Sequence, residues 1–413
     1  MTHSTHRNRA AALFFLLSVS APEFLAASGY EFDGIGARSI ARGGAVIADA
    51  ADWSAIYWNP ANLADVKARE AGLELKKGNS HSYDGNSFSL PATTDRFAKK
   101  HSRSSFFFGS LGAVVPLGKG SALGAGLYMP LLQGSDFKDA GLPGNTTYDS
   151  IDYKGFAGIT VANISYARKL TENISLALGV NAIRGDIASD AKIGAVGAGT
   201  IDKEMDGTGY GVEGIFGGKY QLNDSFSLGA VFRTGADVKI EGDAEASWPA
   251  LAMTEATGFK FSLMQPPTSG VGAAWKFRKD LTLTCDLTQT WWKGFSNKTT
   301  YDNPGTLLAD QAKTFDWKNS YKFRAGALWA YDERTDFLAG YAYDTPAIDA
   351  GSLDHSAAID VHMHRFSAAV SRRWGGLQGT LGALAGDFTT RKAGGVKYGL
   401  GGGYVMGEVK YKF

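Results

Sequence analysis

Lys318, Lys322 and Arg324 all fall on even positions, with Ser320 between them. In an extended strand alternate side chains share a face, so one wall would present two ammonium groups and a guanidinium together. Arg365 and Arg373 repeat the arrangement within 363–373. A guanidinium can hold a carboxylate through two parallel hydrogen bonds, so a face of this kind suits an acidic head group. The competing role is an ion pair within the protein, and Asp286 on a neighbouring strand is placed to neutralise Arg324. Other chemistries are poorly supplied. His362 and His364 share a strand face, but no Cys, His or Asp set at ligand spacing accompanies them. His364 and Ser367 have opposite parity, which separates a general base from its nucleophile. No nucleophile elbow, P-loop or dinucleotide fingerprint stands out. The lone Cys285 reads as a small apolar side chain. The residues therefore point to binding rather than catalysis, with no cofactor and no metal.

The elements that must carry these side chains are strands. From Val405 the odd positions run Val405, Gly407, Val409, Tyr411 and Phe413, against Met406, Glu408, Lys410 and Lys412. A closing strand with lipid on one face, water on the other and an aromatic terminus fits a membrane β-barrel. The same alternation recurs upstream. Tyr321, Phe323 and Trp329 oppose Lys318, Lys322 and Arg324; Leu283, Cys285 and Leu287 oppose Thr284, Asp286 and Thr288. Charge facing hydrocarbon costs a few kcal/mol, so the charged face is the lumen. Strand 121–129, with Gly124 and Gly126 inside it and Pro130 ending it, is a candidate for a kink.

Short turns predict hairpins at 118–120, 171–173, 223–224, 278–280, 332–334 and 375–376. Longer polar or Gly-rich segments separate the units, at about 78–102, 131–152, 185–207, 239–267, 295–316, 345–361 and 389–394. Short turns at one end and long loops at the other are the asymmetry of an outer-membrane barrel. The count is about fourteen strands, and Trp291, Trp292, Trp317, Trp329, Tyr331, Tyr341 and Tyr343 lie near strand ends, where aromatic girdles belong. The formal charge of +1 and the absence of a basic segment argue against nucleic acid.

The N-terminus reads as a signal peptide over residues 1–28: Arg7 and Arg9, an apolar stretch from Ala10 to Val19, then small residues. Residues 29–66 break the strand pattern, and 67–413 form the barrel. Two apolar segments suggest an outer capture groove. One is 185–207; the other carries Trp248, Leu251, Met253, Phe259 and Phe261.

Gly36-Ala37-Arg38-Ser39-Ile40-Ala41-Arg42-Gly43-Gly44-Ala45, followed by 52–64 with Asn59-Pro60-Ala61, resembles the N-terminal region of the FadL/TodX family. Trp317 to Phe323 and Gly340 to Pro346 resemble strand motifs of the same family. The resemblance implies an all-β, transmembrane antiparallel barrel of about 14 strands in the bacterial outer membrane, with an N-terminal hatch in the lumen. Asn59, Pro60 and Ala61 would be the hatch motif. Lys318 would match a lysine associated with the ligand carboxylate, and Arg184 would match a second such cation. Parity instead puts Arg184 on the lipid side at the outer rim, in reach of lipopolysaccharide. The implied activity is passive uptake of hydrophobic molecules, most directly long-chain fatty acids, by a monomer that the barrel-assembly machinery receives through its C-terminal strand. The alternatives are a structural or adhesion barrel, or a barrel esterase.

Overall fold

The computed structural model of the chain describes residues 33–85, 101–141, 148–295, 297–313, 316–349, 360–388, 390–393 and 396–413. The signal-peptide reading of residues 1–28 falls outside the described residues. Fourteen antiparallel strands close into a barrel. They are β1 Glu70–Gly85, β2 His101–Gly118, β3 Ser121–Gly141, β4 Tyr148–Lys169, β5 Ile174–Ala195, β6 Gly199–Asn223 and β7 Phe226–Arg233. They continue as β8 Thr268–Arg278, β9 Leu281–Thr290, β10 Ser320–Ala330, β11 Thr335–Asp344, β12 Met363–Trp374, β13 Leu377–Phe388 and β14 Val396–Lys412. Closure is made by β1 against β14, from Glu70↔Lys412 to Gly85↔Lys397. All six expected short turns join neighbouring wall strands at one end of the barrel.

The faces follow alternation. Phe323 and Trp329, Leu283 and Leu287, and Val405, Val409 and Phe413 are exposed outward, while Lys322, Arg324, Asp286, Glu408 and Lys410 are buried inward. Outward aromatics Trp329, Tyr331 and Phe337 cluster at the short-turn end. Trp292 and Trp317 depart from the girdle expectation. They are buried and stacked, with centroids 4.8 Å apart, and Phe295 packs edge-on to both.

Several segments expected to be loops are strands that run on past the apolar belt. β5 and β6 pair without interruption up to Ala195↔Gly199. The insertion 234–267 is a hairpin, Ala236–Trp248 and Met253–Gln265. It continues β7 and β8 through a bend at Thr234-Gly235, where Gly235 has φ +72°, and at Pro266-Pro267. Asn297–Tyr301 adds to its edge. In this outer lobe the alternation persists with its polarity reversed. Ile187, Ile193, Met205, Val238, Ile240, Phe259 and Leu263 pack inside, and Asp190, Glu204, Asp243 and Glu245 face out. Polar residues on the outer face made these strands read as loops. Pro130 does not end β3 either. The strand continues to Gly141 with a pairing irregularity between Tyr128 and Leu131, because Pro removes one ladder donor without forcing the chain to turn.

Candidate functional site

Residues 33–66 fill the lower lumen as a compact plug. It contains two single-turn helices, α1 Ala37–Ile40 and α2 Ala55–Trp58, and a 3-10 helix, Pro60–Asp65. Helices this short leave most backbone N–H groups without internal partners, so the wall must supply acceptors. Buried wall carboxylates do so. Glu74 accepts from Gly36 N at 3.1 Å, Glu408 from Ala37 N at 2.7 Å and Glu70 from Trp53 N at 2.7 Å. Asp286 accepts from Val46 N and Ile47 N at 2.7 and 2.9 Å. Asp286 therefore faces Arg324 in register but binds the plug instead of pairing with that guanidinium. Where the wall is bare, plug backbone touches wall backbone: a Cβ on Gly340 would overlap Gly43 N.

The Asn59-Pro60-Ala61 motif sits on β6. The Asn59 side-chain amide donates to Ile47 O at 2.7 Å and Gly218 O at 3.0 Å, and its Oδ1 accepts from Ala61 N at 3.1 Å. Asn59 thus caps the 3-10 helix that Pro60 begins, with φ of proline already suited to the first turn. Gly217 leaves room for this contact, since a Cβ there would meet Asn59 Oδ1. Two plug acids carry ion pairs. Burial raises the Asp52 carboxyl, but Lys410 at 3.2 Å, the Ser54 hydroxyl and Arg38 outweigh it and hold it well below the usual carboxylate range. Asp65 behaves likewise: burial raises it, and Lys219 and Lys169, both at 2.7 Å, bring it below its ordinary value.

Above the plug lies a cavity of about 60 Å³. Its floor is Ile47, Tyr57 and Trp58 of the plug; Pro130, Ile159 and Val231 make apolar wall, and Arg233, Lys322 and Arg324 supply cations. Gln265, Pro266 and Thr268 border it at the bend of the β7–β8 hairpin. Arg324 lies over the Trp58 ring at 5.5 Å and donates to Thr288 Oγ1 at 3.2 Å, and no carboxylate among the described residues comes within ion-pair distance. Arg233 is different: it pairs with Glu213 at 3.1 Å, sits 4.6 Å over the Tyr57 ring and donates to Tyr57 O. The arrangement provides aromatic and aliphatic surface beside a cation with donor capacity to spare.

Of the cations singled out in the sequence, Lys322 and Arg324 line this cavity, and Lys318 and Arg184 do not. Lys318 is exposed and pairs with Asp349. Arg184 is exposed on the outer face and binds Asp186 through three hydrogen bonds of 2.8–3.0 Å. Trp248, Phe259 and Phe261 are buried inside the outer lobe, Met253 is half-buried, and only Leu251 is exposed, at a hairpin tip. His362 and His364 face outward and bond through Nδ1 to the hydroxyls of Tyr343 and Tyr341 at 2.7 and 2.8 Å. Ser367 faces inward, where its hydroxyl donates to Ala41 O at 3.1 Å. The histidine and the serine do not meet. Sequence reasoning missed the plug-binding carboxylates and Arg233. Glu70 and Glu74 have the spacing of one strand face, which was the available signal for the first two.

Residues 20–359 match the family described as outer membrane protein transport protein (OMPP1/FadL/TodX). No curated protein matches the chain. Among solved structures, a Pseudomonas aeruginosa FadL homologue is similar at 16% identity and TM-score 0.76, covering 93% of this chain and 100% of its own. The Ralstonia pickettii toluene transporter TbuX gives 14% and 0.75, over 92% and 99%. The Pseudomonas putida toluene transporter TodX gives 15% and 0.71, again over 92% and 99%. At these identities the structural likeness establishes the fold. With a barrel wall, an inward-folded segment 33–66 and a sequence match over most of its length, the chain belongs to the FadL/TodX family of outer-membrane transport proteins.

Proposed function

We propose that this protein carries hydrophobic molecules with an acidic head group, long-chain fatty acids above all, across the outer membrane by diffusion. The observation that carries the reading is Arg324: a buried guanidinium without a carboxylate partner, beside an aromatic and aliphatic cavity. A charge-assisted hydrogen bond from such a group contributes about 1.5–3 kcal/mol. The tail would lie against Trp58, Ile159 and Val231, with Lys322 adding a second cation. At about 60 Å³ the cavity is well below the few hundred Å³ typical of ligand pockets, so loading requires the plug floor to move. Asn59-Pro60-Ala61, seated on Gly217 and Gly218, is the hinge side of that hatch. Release past β3 is favoured by the ladder: the described β2–β3 pairing ends at Leu111↔Leu127, next to Pro130, which itself lines the cavity.

The second reading is an inert barrel with a fixed plug, which the narrow cavity favours. Uptake separates the two. In a strain with this protein as its only such transporter, Arg324→Gln should lower uptake of a long-chain fatty acid about tenfold, in line with the loss of one such bond. Unchanged uptake in the combined Lys318→Ala, Arg324→Ala variant would refute head-group anchoring. Absence of any uptake by the parent protein would favour the inert barrel.

A further inference from the structure

A second cavity, of about 280 Å³, opens at the opposite end, between the plug and the wall beside the β12–β13 turn. Five cations line it: Arg38 and Arg42 from the plug, and Arg373, Lys410 and Lys412 from the wall. Only two lining residues are acidic, Asp49 and Asp52. The carboxylates that stand behind the lining are already engaged. Asp336 accepts from both Arg38 and Arg373, each at 2.8 Å. Glu408 accepts the Ala37 N–H, and Glu70 accepts the Trp53 N–H and lies 3.9 Å from Lys410. Lys412 faces Glu70 in register but has no carboxylate within 4 Å among the described residues. Arg42 is buried; two of its nitrogens bond Asp49, and its Nε finds no acceptor among the described residues. Gly375 and Gly376 line the rim, and a Cβ on Gly375 would meet nothing, so the mouth is open there.

We infer that this vestibule is an oxyanion-binding site on the periplasmic side, one that takes a carboxylate or phosphate head group. Two guanidiniums sharing one carboxylate keep donor capacity for a further anion. The volume exceeds that of the upper cavity severalfold and accepts a head group without repacking. Leu328 lies in the lining and Leu377 at its edge, which gives the proximal carbons of an attached chain a place to rest. The plug supplies two of the five cations and the wall three. An anion bound here therefore bridges the seam along which a plug must slide, and its occupancy depends on the plug's position. The site stands whether or not the upper cavity binds fatty acid.

Charge-selective labelling tests it. In the full chain in neutral detergent, with Cys285→Ser and Ala51→Cys, Ala51 places one thiol on the lining. Rates with an anionic and a cationic methanethiosulfonate are each referred to the rate with free cysteine. The site predicts at least a tenfold preference for the anionic reagent, and Arg373→Gln with Lys412→Gln should bring the ratio near one. Both positions are partly or fully exposed, and heat-modifiable gel migration reports that the barrel has folded. Millimolar octanoate or inorganic phosphate should slow the anionic reagent. Equal protection by both assigns a bare oxyanion site; protection by octanoate alone assigns an amphiphile's head group. Equal normalised rates for the two reagents, a preference that survives in the folded double variant, or no protection by either anion would overturn the inference.

Discussion

β5 passes from hydrocarbon to water as one unbroken strand. Near its turn Leu176, Leu178 and Val180 face outward against inward Ser175 and Asn181. Further out Arg184, Asp190 and Lys192 face outward against inward Ile183, Ile187 and Ile193. Backbone geometry is the same in both regions; the solvent on each side is exchanged. In the belt the apolar face meets lipid and the wet lumen takes the polar one, whereas in the outer lobe water lies outside and the strands must build a core of their own. The switch between Ala182 and Arg184 therefore marks the head-group level. It explains why Arg184 lies at a rim facing out.

The comparison can be broken by moving charge. Leu178→Arg should cost about 2–4 kcal/mol of barrel stability, because it faces mid-bilayer, while Ala188→Arg on the same face of the lobe should stay within about 0.5 kcal/mol. Urea unfolding from lipid vesicles measures both, and equal costs would dissolve the distinction. The reverse test removes apolar volume from within. Ile240→Ala should loosen the lobe by about 2–5 kcal/mol, seen as faster protease cleavage of the outer hairpins with unaltered heat-modifiable migration.

The belt's polar interior is sharpened by Glu408→Ala. It strands the Ala37 N–H, costs about 1–3 kcal/mol of plug seating and should speed thiol labelling of a cysteine placed in the plug. Acid should act more weakly. Asp52 and Asp65 have lowered values in the folded protein, so their contribution is complete above the ordinary carboxylate value of about 3.9 and fades as pH falls through the lowered one. The ion pairs of these two acids should accordingly weaken only below about pH 4, seen as faster hydrogen exchange of plug amides after correction for the intrinsic pH dependence.

The belt was legible because strict alternation with charge on one face has few other meanings, and 318–330 and 405–413 show it plainly. The outer lobe was read as loops because Asp186, Asp190, Lys192, Glu241 and Asp243 resemble loop composition when lipid is assumed outside. Reading parity without assuming which side was wet would have found Val238, Ile240, Phe259, Phe261 and Leu263 as one buried face. The site divided the same way. Arg324 was visible because parity and chemistry agree there. Arg233 was not, since its place depends on the bend at Thr234-Gly235 and on a plug carbonyl, Tyr57 O, far away in sequence. Asp286 was assigned to its nearest cation because a backbone N–H leaves no trace in sequence.

The strands that seal the barrel also hold the plug at Gly36, Ala37, Asp52 and Trp53: β1 through Glu70 and Glu74, β14 through Glu408 and Lys410. Closed around an empty bore, Glu408 would lose its plug donor, and Glu70 and Glu74 would keep only the wall lysines Lys410 and Lys76. Cork and bottleneck thus share one set of fastenings, so loosening the seam also unseats the cork.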